Sequence, residues 1–178
     1  MAMTLITTNT SSNAATSSFT TGIDDTYKLY VFKFYDINPA TDSSSLTFQV
    51  NADGQSGYNE TITSTNFLVV HYESDSSTAG PSVEADADQA QGTAFQPITH
   101  QGGNASDESS AGELFLFNPS NSTYITHFYS SSVTYYVTPA PINLYVSGYI
   151  NTTTAIDDIQ FKMSSGNFDG TIKMYGVA

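Results

Sequence analysis

The chain has no cysteine, no tryptophan and no arginine, and its only strong cations are four lysines (Lys28, Lys33, Lys162, Lys173). Each absence removes a class of function. Without cysteine there is no disulfide, no thiol nucleophile and no cysteine-type zinc site. Four lysines stand against 17 acidic residues, for a net charge of −13. Such a surface repels phosphate backbones, which excludes a nucleic-acid partner, and it disfavours anionic membranes. A polyanion lyase would lack the guanidinium groups that neutralise its substrate. No apolar run approaches the roughly 18 residues of a membrane span, so none is predicted. The first 18 residues show neither the basic segment nor the apolar core of a signal peptide. The expectation is therefore assembly in a cytoplasm without Sec export, and the five Asn-x-Ser/Thr sites (Asn9, Asn59, Asn104, Asn121, Asn151) are expected to carry no glycan.

What remains is apolar, aromatic and hydroxyl-rich. The 178 residues, 39% hydrophobic and 13% aromatic, suit one packed domain. The dominant pattern has period two. Leu46, Phe48 and Val50 alternate with Ser45, Thr47, Gln49 and Asn51, and Ile142, Leu144, Val146 and Ile150 alternate with Asn143, Tyr145, Ser147 and Tyr149. Both stretches read as strands with one buried face and one wet face. Residues 27–35 are apolar on both faces apart from their lysines and read as a central strand covered on both sides. Further strands are predicted over 61–72, 113–117, 123–138, 156–163 and 171–175. Turn signals fall at 51–54, 118–121, 164–167 and 169–170.

No segment carries a sustained helical stripe; residues 83–94 read as a loop, with a turn or two of helix as the alternative. About eight to ten strands at this spacing predict an all-β, antiparallel β-sandwich of jelly-roll-like form. Residues 1–20 are Thr/Ser/Asn-rich and read as an extended N-terminal arm, laid on the chain's own sheet edge or on a neighbour, with 21–178 as the sandwich domain. Two long polar stretches, 74–91 and 99–112, are either contact loops or plain surface loops. Candidate contact residues are Leu5, Ile6 and Phe19 on the arm, and the outward Tyr145 and Tyr149.

Reaction chemistry is sparse. His71 and His127 lie inside strand-like runs and read as structural; His100 sits in a polar stretch near Asp107 and Glu108, a weak candidate for a dyad. Glu84, Asp86 and Asp88 alternate as hard-cation ligands can, yet no calcium-loop glycine or closing glutamate follows, so solvated loop charge is the competing reading. Asp24-Asp25 and Asp157-Asp158 are ambiguous in the same way. No nucleophile elbow is present, and Gly102-Gly103-Asn104 lacks the lysine of a phosphate loop. No cofactor is predicted, and the chain is not expected to be an enzyme. A carboxylate pair on a sandwich could serve a polysaccharide hydrolase, the least favoured reading. Outward tyrosines fit either a protein interface or a sugar platform.

One segment adds a resemblance. The run Ser164-Ser165-Gly166-Asn167-Phe168-Asp169-Gly170-Thr171-Ile172-Lys173-Met174-Tyr175-Gly176-Val177, preceded by Ile156-Asp157-Asp158-Ile159-Gln160-Phe161-Lys162-Met163, resembles the ending of many virion structural proteins of tailed bacteriophages. Gly112-Glu113-Leu114-Phe115-Leu116-Phe117-Asn118-Pro119-Ser120 and Gly148-Tyr149-Ile150-Asn151 are similar to that group too, which is frequent in phages of marine bacteria, including cyanophages. The likeness covers residues 112–177 well and marks a strand pair, with no catalytic residues to carry over. It implies a jelly-roll-like subunit of a virion assembled in the host cytoplasm, often a homotrimer. Its partners would then be itself and the major capsid protein or other virion proteins. Small size favours a capsid decoration (cement) protein; a tail or fibre component that recognises a host glycan is the alternative.

Overall fold

The computed structural model describes residues 2–75 and 78–178. In chain order its strands are β1 (Met3–Ala14), β2 (Ser17–Phe19), β3 (Leu29–Pro39), β4 (Leu46–Ala52), β5 (Ile62–His71), β6 (Thr78–Ser82), β7 (Gln89–Gly92), β8 (Gln96–Pro97), β9 (Ser110–Phe117), β10 (Thr126–Tyr135), β11 (Pro141–Ile150), β12 (Ile156–Met163) and β13 (Phe168–Val177). A 3-10 turn, Ala85–Ala87, precedes β7. The strands form two antiparallel sheets packed as a sandwich. The large sheet runs β1-β13-β3-β9-β10-β11-β5-β6, with β7 also paired to β5; the small sheet runs β2-β12-β4-β8.

Alternation explains the packing. On the large sheet the inward residues include Tyr30, Phe32 and Phe34 of β3, Leu114 and Leu116 of β9, and Leu144 and Val146 of β11, all buried. The small sheet answers with Leu46, Phe48 and Val50 of β4 and Ile159, Phe161 and Met163 of β12. Aromatic rings lock the layers. Phe48 meets Phe128 edge-on at 5.0 Å, and Phe19, Phe32 and Phe161 form a cluster with centroid distances of 5.4 to 6.1 Å. Edge-to-face pairs of this kind add about 0.5–1.5 kcal/mol beyond their buried area.

Two inward positions have no room for a side chain, between a backbone carbonyl of the next strand (Ser131 at Gly112, Thr63 at Gly148) and a phenylalanine ring. A Cβ on Gly112 would stand 2.7 Å from Cζ of Phe34, and one on Gly148 would stand 2.8 Å from Cζ of Phe128. Each phenylalanine, directly opposite its glycine in the register, shields the bare backbone.

The all-β sandwich expected from the sequence is present, and eight of its nine long strands lie where strands were predicted; the ninth is β1. Four short ones (β2, β6, β7, β8) had no sequence signal of their own. Of the two placements expected for the N-terminal arm, the chain's own sheet edge is the one found: β1 pairs with β13 along the edge of the large sheet. Several details differ. Phe19 is 2% exposed, so its ring belongs to the intrachain core and not to a contact surface. Ile6, at a bulge in β1, packs back onto the core beside Gly22. Asp169-Gly170 is no turn; Gly170, at φ +140°, lies within β13 opposite a β-bulge of β3, where Asp36 and Ile37 face this one residue.

The polar face of β4, read as wet, is buried. Gln49 Nε2 donates to the carbonyls of Glu60, Thr93 and Ala94, and the Val50 N–H donates to Gln49 Oε1. Asn51 Oδ1 accepts from the Tyr58 N–H, and Thr47 Oγ1 donates to the Lys162 carbonyl. Alternation reports which residues share a face; it cannot report that loops 55–61 and 93–97 fold over that face. β3 departs in the other direction. Val31 is buried on its outer side, but Tyr35 is exposed and Lys33 half-buried, so no second layer covers it.

Candidate functional site

The outer face of the large sheet concentrates what is unusual about this surface. Ten large apolar side chains are exposed among the described residues, and eight lie on this face: Met3, Leu5, Tyr35, Phe67, Phe117, Tyr129, Val133 and Tyr145, each 37% to 51% exposed. The other two, Val83 and Tyr124, lie elsewhere. Scattered apolar residues are ordinary on a protein surface; a contiguous group on one face is not.

The strand register puts them in rows. One row runs across seven strands through Leu5, Tyr175, Val31, Phe115, Tyr129, Ser147 and Thr65. The next runs through Thr8, Lys173, Lys33, Glu113, Ser131, Tyr145 and Phe67. Cross-strand neighbours on one face come within reach of each other, and here the rings stack. Phe115 and Tyr129 lie 4.5 Å apart at 7°, and Phe67 and Tyr145 lie 4.8 Å apart at 17°. The two stacks sit in adjacent rows on different strand pairs, so each looks across onto small residues.

Those small residues floor shallow depressions. Ser147 and Thr65 form a shared floor for two adjoining hollows of about 370 and 380 Å³. Phe67, Tyr129 and Tyr145 wall one, and His127 and Tyr149 wall the other. A third hollow, of about 360 Å³, lies over Ser131 between Tyr35, Val133 and the ion pair of Lys33 with Glu113. That pair closes at 2.8 Å; the hydrogen bond from Lys33 to the Glu113 carboxylate holds the ammonium above its ordinary range.

Three sequence candidates lie on this outer face: Leu5 and Tyr145 are exposed and Tyr149 is half-buried. The others fall elsewhere. Glu84, Asp86 and Asp88 flank or occupy the 3-10 turn, and no group of three or more His, Asp or Glu capable of holding a metal ion occurs among the described residues. The three carboxylates do not converge: Asp86 and Asp88 stay exposed while the turn buries Ala87. His100 stacks on Tyr136 at 6.0 Å rather than joining Asp107 or Glu108 as a dyad; burial pushes its pKa down, with Glu84 and Asp86 pulling the other way. His71 reaches Asp75 at 3.1 Å on the surface, and His127 lies 6.4 Å from Tyr149.

Both long polar stretches are tied down by their own chain. Within 74–91, β6 and β7 pair with β5, and Asn66 exchanges two hydrogen bonds with the backbone of Glu84; residues 76 and 77 of this stretch lie outside the described residues. Within 99–112, Asn38 Nδ2 donates to the carbonyls of Ala105 and Glu108. The exposed apolar side chains gather on the sheet face, where Phe67, Phe115, Phe117 and Tyr129 had not been singled out. The signal was available: 114–117 reads Leu-Phe-Leu-Phe, apolar on both faces of one strand. No protein-family model and no curated protein matches the chain.

Proposed function

We propose that this protein is a structural subunit of a tailed-phage virion, a capsid decoration protein that docks through the outer face of its large sheet and performs no catalysis. The observation that carries the docking role is the gathering of eight of the ten exposed large apolar side chains on that face. Seven long strands at about 4.8 Å spacing and about eight residues each give it an area of roughly 800–900 Å². A standard interface buries about 800 Å² per partner. Stacked Phe and Tyr rings suit such a surface because they are large and already ordered, so little side-chain entropy is lost on contact. The virion setting is supported by the resemblance of residues 112–177. A subunit that binds only the folded shell stabilises it by mass action.

Electron microscopy of intact particles, with the copy number of the chain, tests the reading. A count matching the capsid subunits supports it, and a tail-like count rejects it. Within the particle, F115S/Y129S is expected to lose incorporation while remaining folded.

A second reading, a tail component that recognises a host glycan, is favoured by one observation. The double hollow over Ser147 and Thr65 is lined by hydroxyls and rings with no charged residue, in a chain of net charge −13. Aromatic walls over a hydroxyl floor suit an uncharged sugar ring. Glycan-array binding that is weakened by Y145A and Y149A would favour it over the first.

A further inference from the structure

Three of the four sheet edges are blunted, and one is not. In the small sheet, β2 has three residues and β8 two, the second of them Pro97. At the far edge of the large sheet, β6 and β7 are short and each pairs with β5 through a register shift, and β6 contains Gly80 and Pro81. The fourth edge is β1, 12 residues long, with the sequence Met-Thr-Leu-Ile-Thr-Thr-Asn-Thr-Ser-Ser-Asn-Ala. It holds no proline and no charge. Edge strands leave a row of unpaired N–H and C=O groups, and proteins that stay apart guard them with lysine, proline or brevity. Only two bulges, at 5–7 and 11–14, interrupt β1.

The geometry points to β1 as a self-association edge that pairs with β1 of a second copy. Charge selects this occupant. At −13, two copies repel over most of their surface. Beside β1 there is a stretch free of charge: the groove of about 590 Å³ between β1 and β2 is lined by Thr, Ser, Asn and Ala alone, among them Thr8, Asn9, Ser12 and Ser17, and the Asp169 carboxylate reaches the strand only at its end, on the Asn13 N–H. The segment 7–11 lies between the bulges and pairs residue by residue with β13, so its free side is straight. Antiparallel pairing of two such segments about a two-fold axis places Thr, Ser and Asn opposite their like, cross-strand pairs that contribute rather than clash. Two nine-stranded sheets would then run on as one. This inference concerns the edge alone and stands or falls separately from the virion setting.

Sedimentation equilibrium of the purified full chain is the test, with T8K/T10K at the edge and F115S/Y129S on the face. The expected result is a dimer that T8K/T10K weakens roughly tenfold or more, while F115S/Y129S leaves it intact. Amide exchange of wild-type protein at low and high concentration gives a readout free of mutation: protection of 7–11 should rise with concentration. A wild-type monomer at all concentrations, a dimer lost through the face variant but kept by the lysine pair, or exchange in 7–11 that ignores concentration each overturns the proposal.

Discussion

The two sheets present inner faces of the same apolar kind and treat their outer faces in opposite ways. Outside the small sheet lie Thr47, Gln49, Asn51, Gln160 and Lys162, polar groups that water would serve well, yet loops cover most of them. Phe95 from one such loop sits beneath the Lys162 ammonium at 3.9 Å. Outside the large sheet lie the exposed Phe67, Phe117, Tyr129 and Tyr145 and the half-buried Phe115, and among the described residues no loop is layered over them. The polar face is closed by hydrogen bonds, which fix a single geometry because every buried donor and acceptor needs its partner. The apolar face stays open and holds its shape by ring stacking. A face closed by its own loops stabilises the chain; the face left apolar is the one that the proposed docking would bury.

Four changes would break or sharpen this contrast. The largest effect is expected from Gln49→Leu, which withdraws one amide from three carbonyls and the Val50 N–H. Unfolding free energy should fall by about 3 kcal/mol in urea denaturation, the order of leaving buried polar groups unpaired. Gly112→Ala follows, at about 2 kcal/mol, because its methyl group meets the Ser131 carbonyl and the Phe34 ring. F115S/Y129S should move the same midpoint by less than about 1 kcal/mol, the scale of one cross-strand aromatic pair. An effect as large as that of Gln49→Leu would show that the face is part of the fold and not a surface for partners.

The smallest effect concerns pH. Burial holds His100 below the ordinary imidazole range in the folded protein. The unfolded chain takes up this proton near pH ~6.5. Between the two pKa values the unfolded state binds more protons, so His100's contribution is complete above the unfolded value and is lost as pH falls toward the folded one. His100→Gln should flatten the change in thermal midpoint between about pH 7 and about pH 5.5, and an unchanged slope would remove the imidazole from the account.

Much of the sandwich was legible in the period-two pattern. Strand β12 begins and ends where alternation put it, and the faces of β11 are the predicted ones, because both are long and have one clearly polar side. Strand β1 was not legible. Its composition alone cannot hold a structure, and its order is supplied by β13, about 160 residues later in the chain. The polarity of Gln49 and Asn51 was visible and their burial was not, since burial depends on loops that carry no periodic signal. The site was half legible. Tyr145 and Tyr149 follow from simple alternation. Phe115 and Phe117 were hidden in an apolar run, where period two cannot tell core from surface.

The pairing of β1 with β13, Met3 opposite Val177, sets an order of events during synthesis. Strand β1 leaves the ribosome well before β13 and has to wait for it before it finds its place, so no nascent chain that lacks β13 can complete the large sheet. Until then its backbone stays open to strands from other nascent chains. Contacts so distant in sequence also slow folding. Production of the protein should therefore depend on translation speed and crowding more than its folded stability alone suggests.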